Sequence, residues 1–319
     1  HAWTMNRLAE LAGQGKPCTL NTPSLTSFTT PTEEELAAVP EVSLEKLVSW
    51  QVQLASFPDI FIRIFEAVNR IGSNADNVAD IIRMDTSLSA KLLKLVNSPL
   101  FGLSAPVESI SRAVIVAGMD ELSMLALGVS AVEYFQGIPD EYVDMKSFWM
   151  HSLACGVAAR SLAANQKIFK RERYFIAGLL HDIGRLVIFR NHPKAAALII
   201  AMSRTTPCPL FEAERRVLGY DHADVAKELL SSWNIPESLE QMVKYHHAPV
   251  DSEDRQAAAI IHVADIMAAT LSTEMPTPFP VPPLSKECWD MVGFPLEEMD
   301  TVMDEVLTIM SELTGTFLN

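Results

Sequence analysis

From Pro58 onward, apolar residues recur every three or four positions, the spacing of helices that bury one face. Ile60, Ile64, Ala67, Val68 and Ile71 form one such stripe, closed by Gly72-Ser73-Asn74. Ala75–Met84 predicts a second helix, with Val78, Ile81 and Ile82 apolar. Asp85-Thr86-Ser87 supplies cap-forming residues and opens a third, carrying Leu88, Leu92, Leu95 and Val96. The run Asn97–Leu103 reads as a turn, Ser109–Val116 as a helix, and Gly118-Met119-Asp120 introduces another with Leu122, Leu125, Leu127 and Val129. Gly137-Ile138-Pro139-Asp140 breaks the pattern and marks a seam.

Beyond the seam the spacing predicts helices over 145–165, 171–190, 194–204, 210–218, 222–233, 237–245, 253–272, 284–291 and 296–315. Pro276–Pro283 is too rich in proline to be helical and reads as a stiff linker. At the other end, a short helix over Trp3–Leu11 precedes a Ser/Thr/Pro-rich arm, and Pro31-Thr32-Glu33 has the character of a helix start. Strand alternation, internal repeats and Gly-rich phosphate loops are not evident. The expected fold is all-α. It divides into an arm over 1–40, a helical subdomain over 41–138, a helical core over 139–275, and a linker with terminal helices over 276–319.

Composition narrows the function. The 319 residues are 49% hydrophobic, with mean hydropathy +0.15, enough for a sizeable core. No apolar run approaches the ~18 residues of a membrane span, and no signal pattern opens the chain, so a cytoplasmic protein without a membrane role is expected. His1, a processed start or tag remnant, is set aside from the chemistry. The net charge of −15 repels polyanions, and Lys170-Arg171-Glu172-Arg173 is the densest basic run, so nucleic acid is not an expected partner. Cys18, Cys155, Cys208 and Cys288 are widely separated. They read as reduced thiols, not a thiolate zinc site.

The candidate chemistry centres on Ala177–Val187, where His181 and Asp182 stand together in an apolar run with Gly184 and Arg185 close behind. An imidazole nitrogen and a carboxylate oxygen can serve one divalent cation or one each of a close pair. A buried helix whose His-Asp pair is only hydrogen-bonded would have the same sequence. On a helix, Arg185 sits one turn beyond the pair on the same side, a fixed cationic fork suited to phosphate. The other seven of the eight histidines, His151, His181, His192, His222, His246, His247 and His262, all lie between 151 and 262. Asp265 falls mid-helix in an apolar setting, where a carboxylate is costly unless paired or metal-bound. His192, before Pro193, reads as a turn residue. His262, one turn before Asp265, reads as a core histidine or a residue orienting a ligand.

Leu179-Leu180-His181-Asp182-Ile183-Gly184 resembles the signature of the HD superfamily of metal-dependent phosphohydrolases. Upstream, Asp85–Ser98 with Phe101-Gly102-Leu103 and Ile110–Val114 resembles the HDOD family of bacterial signalling proteins, over about residues 50–270. The resemblance implies a helical subdomain packed on an HD-type core and a role in signal transduction. Compared with the HD-GYP branch, His151, His181, Asp182, His222, His246, His247 and Asp265 match metal ligands, with Asp182 bridging two ions. Ser147 stands where some of that branch carry a third-metal glutamate, so two ions are expected. The Gly-Tyr-Pro signature is absent after His247, and Arg185 replaces the lysine of His-Asp-x-Gly-Lys, which argues against that branch's usual cyclic-dinucleotide hydrolysis.

The expected cofactor is two divalent transition-metal ions, Fe or Mn foremost, with Ni, Co or Zn also compatible with nitrogen and oxygen donors. The enzyme reading is hydrolysis of a phosphomonoester or phosphodiester, a phosphorylated small molecule or nucleotide, with Asp182 and Arg185 carrying the chemistry. The rival is a non-catalytic module that retains the metals structurally and docks a signalling protein partner.

Overall fold

The computed structural model describes residues 29–54, 59–70, 74–135, 137–206, 208–271 and 284–317, and every regular element among them is helical. In chain order they are α1 (Glu33–Ala37), α2 (Leu44–Leu54), α3 (Asp59–Asn69), α4 (Ala75–Arg83), α5 (Thr86–Val96), α6 (Ile110–Ala117), α7 (Met119–Tyr134), α8 (Met145–Asn165) and α9 (Glu172–Leu180). There follow α10 (Ile183–Asn191), α11 (Pro193–Thr205), α12 (Leu210–Leu218), α13 (His222–Ser232), α14 (Glu237–Lys244), α15 (Arg255–Leu271), α16 (Lys286–Val292) and α17 (Met299–Phe317). The expected helix Trp3–Leu11, most of the Ser/Thr/Pro-rich arm and the Pro276–Pro283 linker lie outside the described residues. Among those described, no single helix is long and apolar enough to cross a membrane.

Helix starts follow local chemistry. Thr32 and Glu35 exchange hydrogen bonds in a capping box at α1. Asn74, Asp85 and Ser109 each accept a backbone N–H from three residues on, opening α4, α5 and α6. The first group of helices, α3–α7, is joined to the second half by α7 on α9 and by α17 on α5. The apolar core runs through both without a gap.

At the centre of the second half lies α8, buried along most of its length and covered by α9, α15 and α17. Its closest neighbour is α9, and glycines set that distance. A Cβ on Gly178 would lie 2.6 Å from Gly156 Cα, and one on Gly156 would lie 2.6 Å from Phe175 O. Only paired glycines let the two backbones approach this far.

Two findings depart from the spacing. The segment 171–190 is not one helix: it breaks at His181-Asp182, with Asp182 at φ −96°, ψ 1°, into α9 and α10. The break redirects α10 onto α13, where Gly184 meets His222 so closely that a Cβ would come within 2.0 Å of His222 O. The second departure is α2, which the spacing did not single out because its apolar stripe (Leu44, Leu47, Val48) is short. It packs on α10 and α13. Asn191 Nδ2 donates to Leu47 O (3.1 Å), His192 Nε2 to Pro40 O (3.3 Å) and Tyr220 Oη to Val42 O (3.1 Å). His192 is thus a structural donor, in keeping with its reading as a turn residue.

Replacing Gly178 by Ala is expected to force α8 and α9 apart and to destabilise the protein by about 1–3 kcal/mol. The check is urea unfolding, with a lower midpoint at unchanged slope.

Candidate metal centre

Five elements bring the centre together. His151 comes from α8, the His181-Asp182 pair from the α9–α10 break, His222 from the first position of α13, His246 and His247 from the turn after α14, and Asp265 from the middle of α15. The break matters here, because it turns two consecutive side chains toward one point. Asp221 fixes the start of α13 by accepting the Ala223 and Asp224 N–H groups, and so fixes His222. His181, His222 and His246 are fully buried, Asp182 is 1% exposed and Asp265 5%.

All seven sequence-predicted ligand side chains converge. His151 Nε2 lies 3.0 Å from Asp265 Oδ1 and 4.0 Å from Asp182 Oδ2. His181 Nε2 lies 3.4 Å from Asp182 Oδ1 and 3.6 Å from Asp265 Oδ1. On the other side, His222 Nε2 is 3.1 Å from Asp182 Oδ1 and 2.9 Å from His247 Nε2. Three triads have donor atoms within 4.8 Å of one another: His151, His181 and Asp182; His181, His246 and Asp265; and His222, His246 and His247. Asp182 lies between the two ends of this array.

The ring orientations point to cation binding. His181 Nδ1 donates to Gly178 O (2.7 Å), His246 Nδ1 to Val243 O (2.5 Å) and His222 Nδ1 to Glu214 Oε2 (2.5 Å). Each bond consumes the ring proton on Nδ1 and turns the Nε2 lone pair inward, the arrangement that outer-shell partners give metal-bound histidines. The Nε2 atoms of His181 and His246 have no hydrogen-bond partner among the described residues. Buried polar atoms are otherwise nearly always paired. His262 Nδ1 donates to His246 O (2.8 Å), so it steadies the turn that carries two of these rings.

Comparison with known proteins gives the chain a family. A family model for the HDOD domain matches residues 54–249. The chain belongs to the HDOD family. An uncharacterized protein of Treponema pallidum (strain Nichols) is 26% identical over 197 residues, 61% of this chain; the match spans only 37% of that relative's length. Among solved structures, an HDOD domain protein of unknown function from Geobacter sulfurreducens has a TM-score of 0.68 at 24% identity, covering 86% of this chain and 98% of the other. A candidate phosphohydrolase from Shewanella amazonensis SB2B has a TM-score of 0.67 at 23% identity, covering 85% and 98%. At these identities the likeness shows the fold.

Within this HDOD fold the site's electrostatics are uneven. Burial opposes the charge on Asp182, but Arg185, with its Nη1 2.6 Å from Oδ2, and then His181 hold its carboxyl well below the usual range. Burial likewise opposes the charge on Asp265, which the neighbouring His151 and His181 rings overcome, holding its pKa well below the ordinary value. Burial would also lower His222, yet the Glu214 and Asp182 carboxylates raise it to about 9. Burial would lower His181 as well, but Asp182 together with its other neighbours raises it well above the ordinary value. Burial and the neighbouring imidazoles keep His246 and His247 well below it. Cys155 adjoins His181, and burial pushes its thiol up, so it stays protonated.

Arg185 sits one turn beyond Asp182 on the same side, with its Nη1 2.6 Å from Asp182 Oδ2 and its Nε 3.5 Å from His222 Nδ1. Sequence reasoning missed Glu214, fully buried against His222, and Phe211, whose ring stacks on His247 at 4.2 Å between centroids and 21° between planes. Both lie in α12, a charged stretch with nothing that marks it as part of a site.

Cation uptake is expected to release protons at neutral pH. His222, protonated below about 9, must lose its proton to become a ligand, so apparent affinity should rise with pH toward that value. Calorimetric titration in two buffers of different ionisation enthalpy measures the release directly.

Proposed function

We propose that this HDOD protein is a signal-transduction protein with a two-cation centre that hydrolyses a phosphate ester. The observation that carries the reading is the buried array itself. Asp182, Asp265 and Glu214 are buried carboxylates, and of these Asp182 has Arg185 while Asp265 and Glu214 face imidazoles. Carboxylates without water are costly unless cations accompany them.

His151, His181 and Asp265 would hold one cation, and His222, His246 and His247 the other, with Asp182 shared. Nitrogen and oxygen donors without thiolate suit Fe, Mn, Ni, Co or Zn, Fe and Mn foremost. The bound cations would supply Lewis acidity and a water of lowered pKa for attack on phosphorus. The chain's own contribution is positional. Carbonyl and carboxylate acceptors fix the rings, burial excludes bulk water, and Arg185 holds Asp182 while offering its remaining N–H groups to phosphoryl oxygens. The Shewanella amazonensis neighbour described as a candidate phosphohydrolase supports the same reaction class. The substrate class proposed is a phosphorylated small molecule or nucleotide.

A second reading is a regulatory module that keeps the cations as structure and docks a signalling protein. The engagement of Arg185 with Asp182, and the complete burial of His181, His222 and His246, favour it.

Elemental analysis of purified protein, followed by turnover of an aryl phosphate and of cyclic dinucleotides, separates the two. The hydrolase reading expects two cations per chain, and Asp182→Ala to lose them with at least a ~100-fold fall in turnover. Loss of metal with turnover unchanged, or two cations with no turnover of any ester, would remove it.

A further inference from the structure

Glu214 stands outside the seven converging side chains, yet it touches one of them twice. Its Oε2 accepts the His222 backbone N–H at 2.8 Å and the ring Nδ1 at 2.5 Å, while Oε1 has no hydrogen-bond partner among the described residues. A capping role does not account for this. Asp221 already caps α13, and Asp224 returns the reciprocal bond to the Asp221 N–H. A second carboxylate at 0% exposure is therefore surplus to the helix start, and costly there.

The other rings explain what it does. His181 and His246 each donate Nδ1 to a carbonyl three residues back. His222 opens its helix, and its Nδ1 turns instead to a full carboxylate from α12. The result is a pair of nitrogens, His222 Nε2 and His247 Nε2, 2.9 Å apart. That is close to the separation expected of two ligands each ~2.0–2.1 Å from one ion. The same helix steadies the second of these rings through the Phe211 stack.

We infer that Glu214 is the positioning residue for the His222, His246 and His247 half of the centre. Its charge strengthens His222 as a donor and its oxygen fixes the ring. The inference rests on the two-cation reading above. It makes the halves unequal: a backbone carbonyl stands behind one ring in each, His181 and His246, but only the His222 half also depends on a carboxylate from α12.

The test is a cobalt(II) titration of metal-free full chain, read by visible absorption and by elemental analysis after desalting. Wild type is expected to retain two cations. Glu214→Gln preserves shape and an acceptor oxygen but removes the charge, so affinity for one cation should fall about 10–100-fold while the other is kept. His222→Ala should lose the same cation, and adding Glu214→Gln to it should change nothing further. Melting in chelator shows whether Glu214→Gln is folded without metal. If it is not, Glu214→Asp, which keeps the charge but withdraws the oxygen from the ring, is expected to lose that same cation. Two cations held with wild-type affinity by a folded Glu214 variant would overturn the inference and leave the two-cation reading standing. A wild type that takes up no cobalt would overturn both.

Discussion

Carboxylates buried among imidazoles, in a core otherwise filled with Leu, Ile, Val and Ala, set the terms for the whole second half of the chain. Asp182 and Asp265 are almost without water, and desolvation on this scale would protonate an isolated carboxyl. Convergent nitrogens and one guanidinium reverse that tendency and keep both ionised. Each of these partners belongs to a different helix, so the packing of α8, α10, α13 and α15 and the charge state of the centre are one problem. A shift in any of these helices exposes or strands a charge.

The close backbone approaches follow from the same demand. To meet at one point, short side chains need main chains that nearly touch, and glycine is the residue that allows it. Gly178 against Gly156 and Gly184 against His222 O are such approaches. The glycine after His181-Asp182 is therefore a packing requirement, independent of any direct part in chemistry.

Much of this was legible in the sequence. Helix existence and most boundaries followed from three-to-four spacing and from caps such as Asp85 and Ser109, because local signals act within one turn. The converging side chains were legible because a mid-helix Asp265 and histidines confined to 151–262 break the composition expected of a core, and because the HD-type motif surrounds His181. The break at 181–182 was not legible: both flanks are apolar and helix-compatible, and the contact responsible, Gly184 on His222, is long-range. Arg185 still falls one turn beyond Asp182, because that i,i+3 relation lies on the C-terminal side of the break. Glu214 and Phe211 escaped because their meaning depends on what α12 faces, and a charged amphipathic stretch has the same pattern over solvent as over a buried ring.

The segment ahead of α3 reaches α10 and α13 through main-chain oxygens, those of Pro40, Val42 and Leu47. Carbonyls are common to every residue, so this clasp makes little demand on the identity of the side chains there. The burden falls on the donors Asn191, His192 and Tyr220. Divergence can therefore run freely at the exposed positions of the strap, while its three anchor points and its buried Val42, Leu47 and Val48 stay fixed.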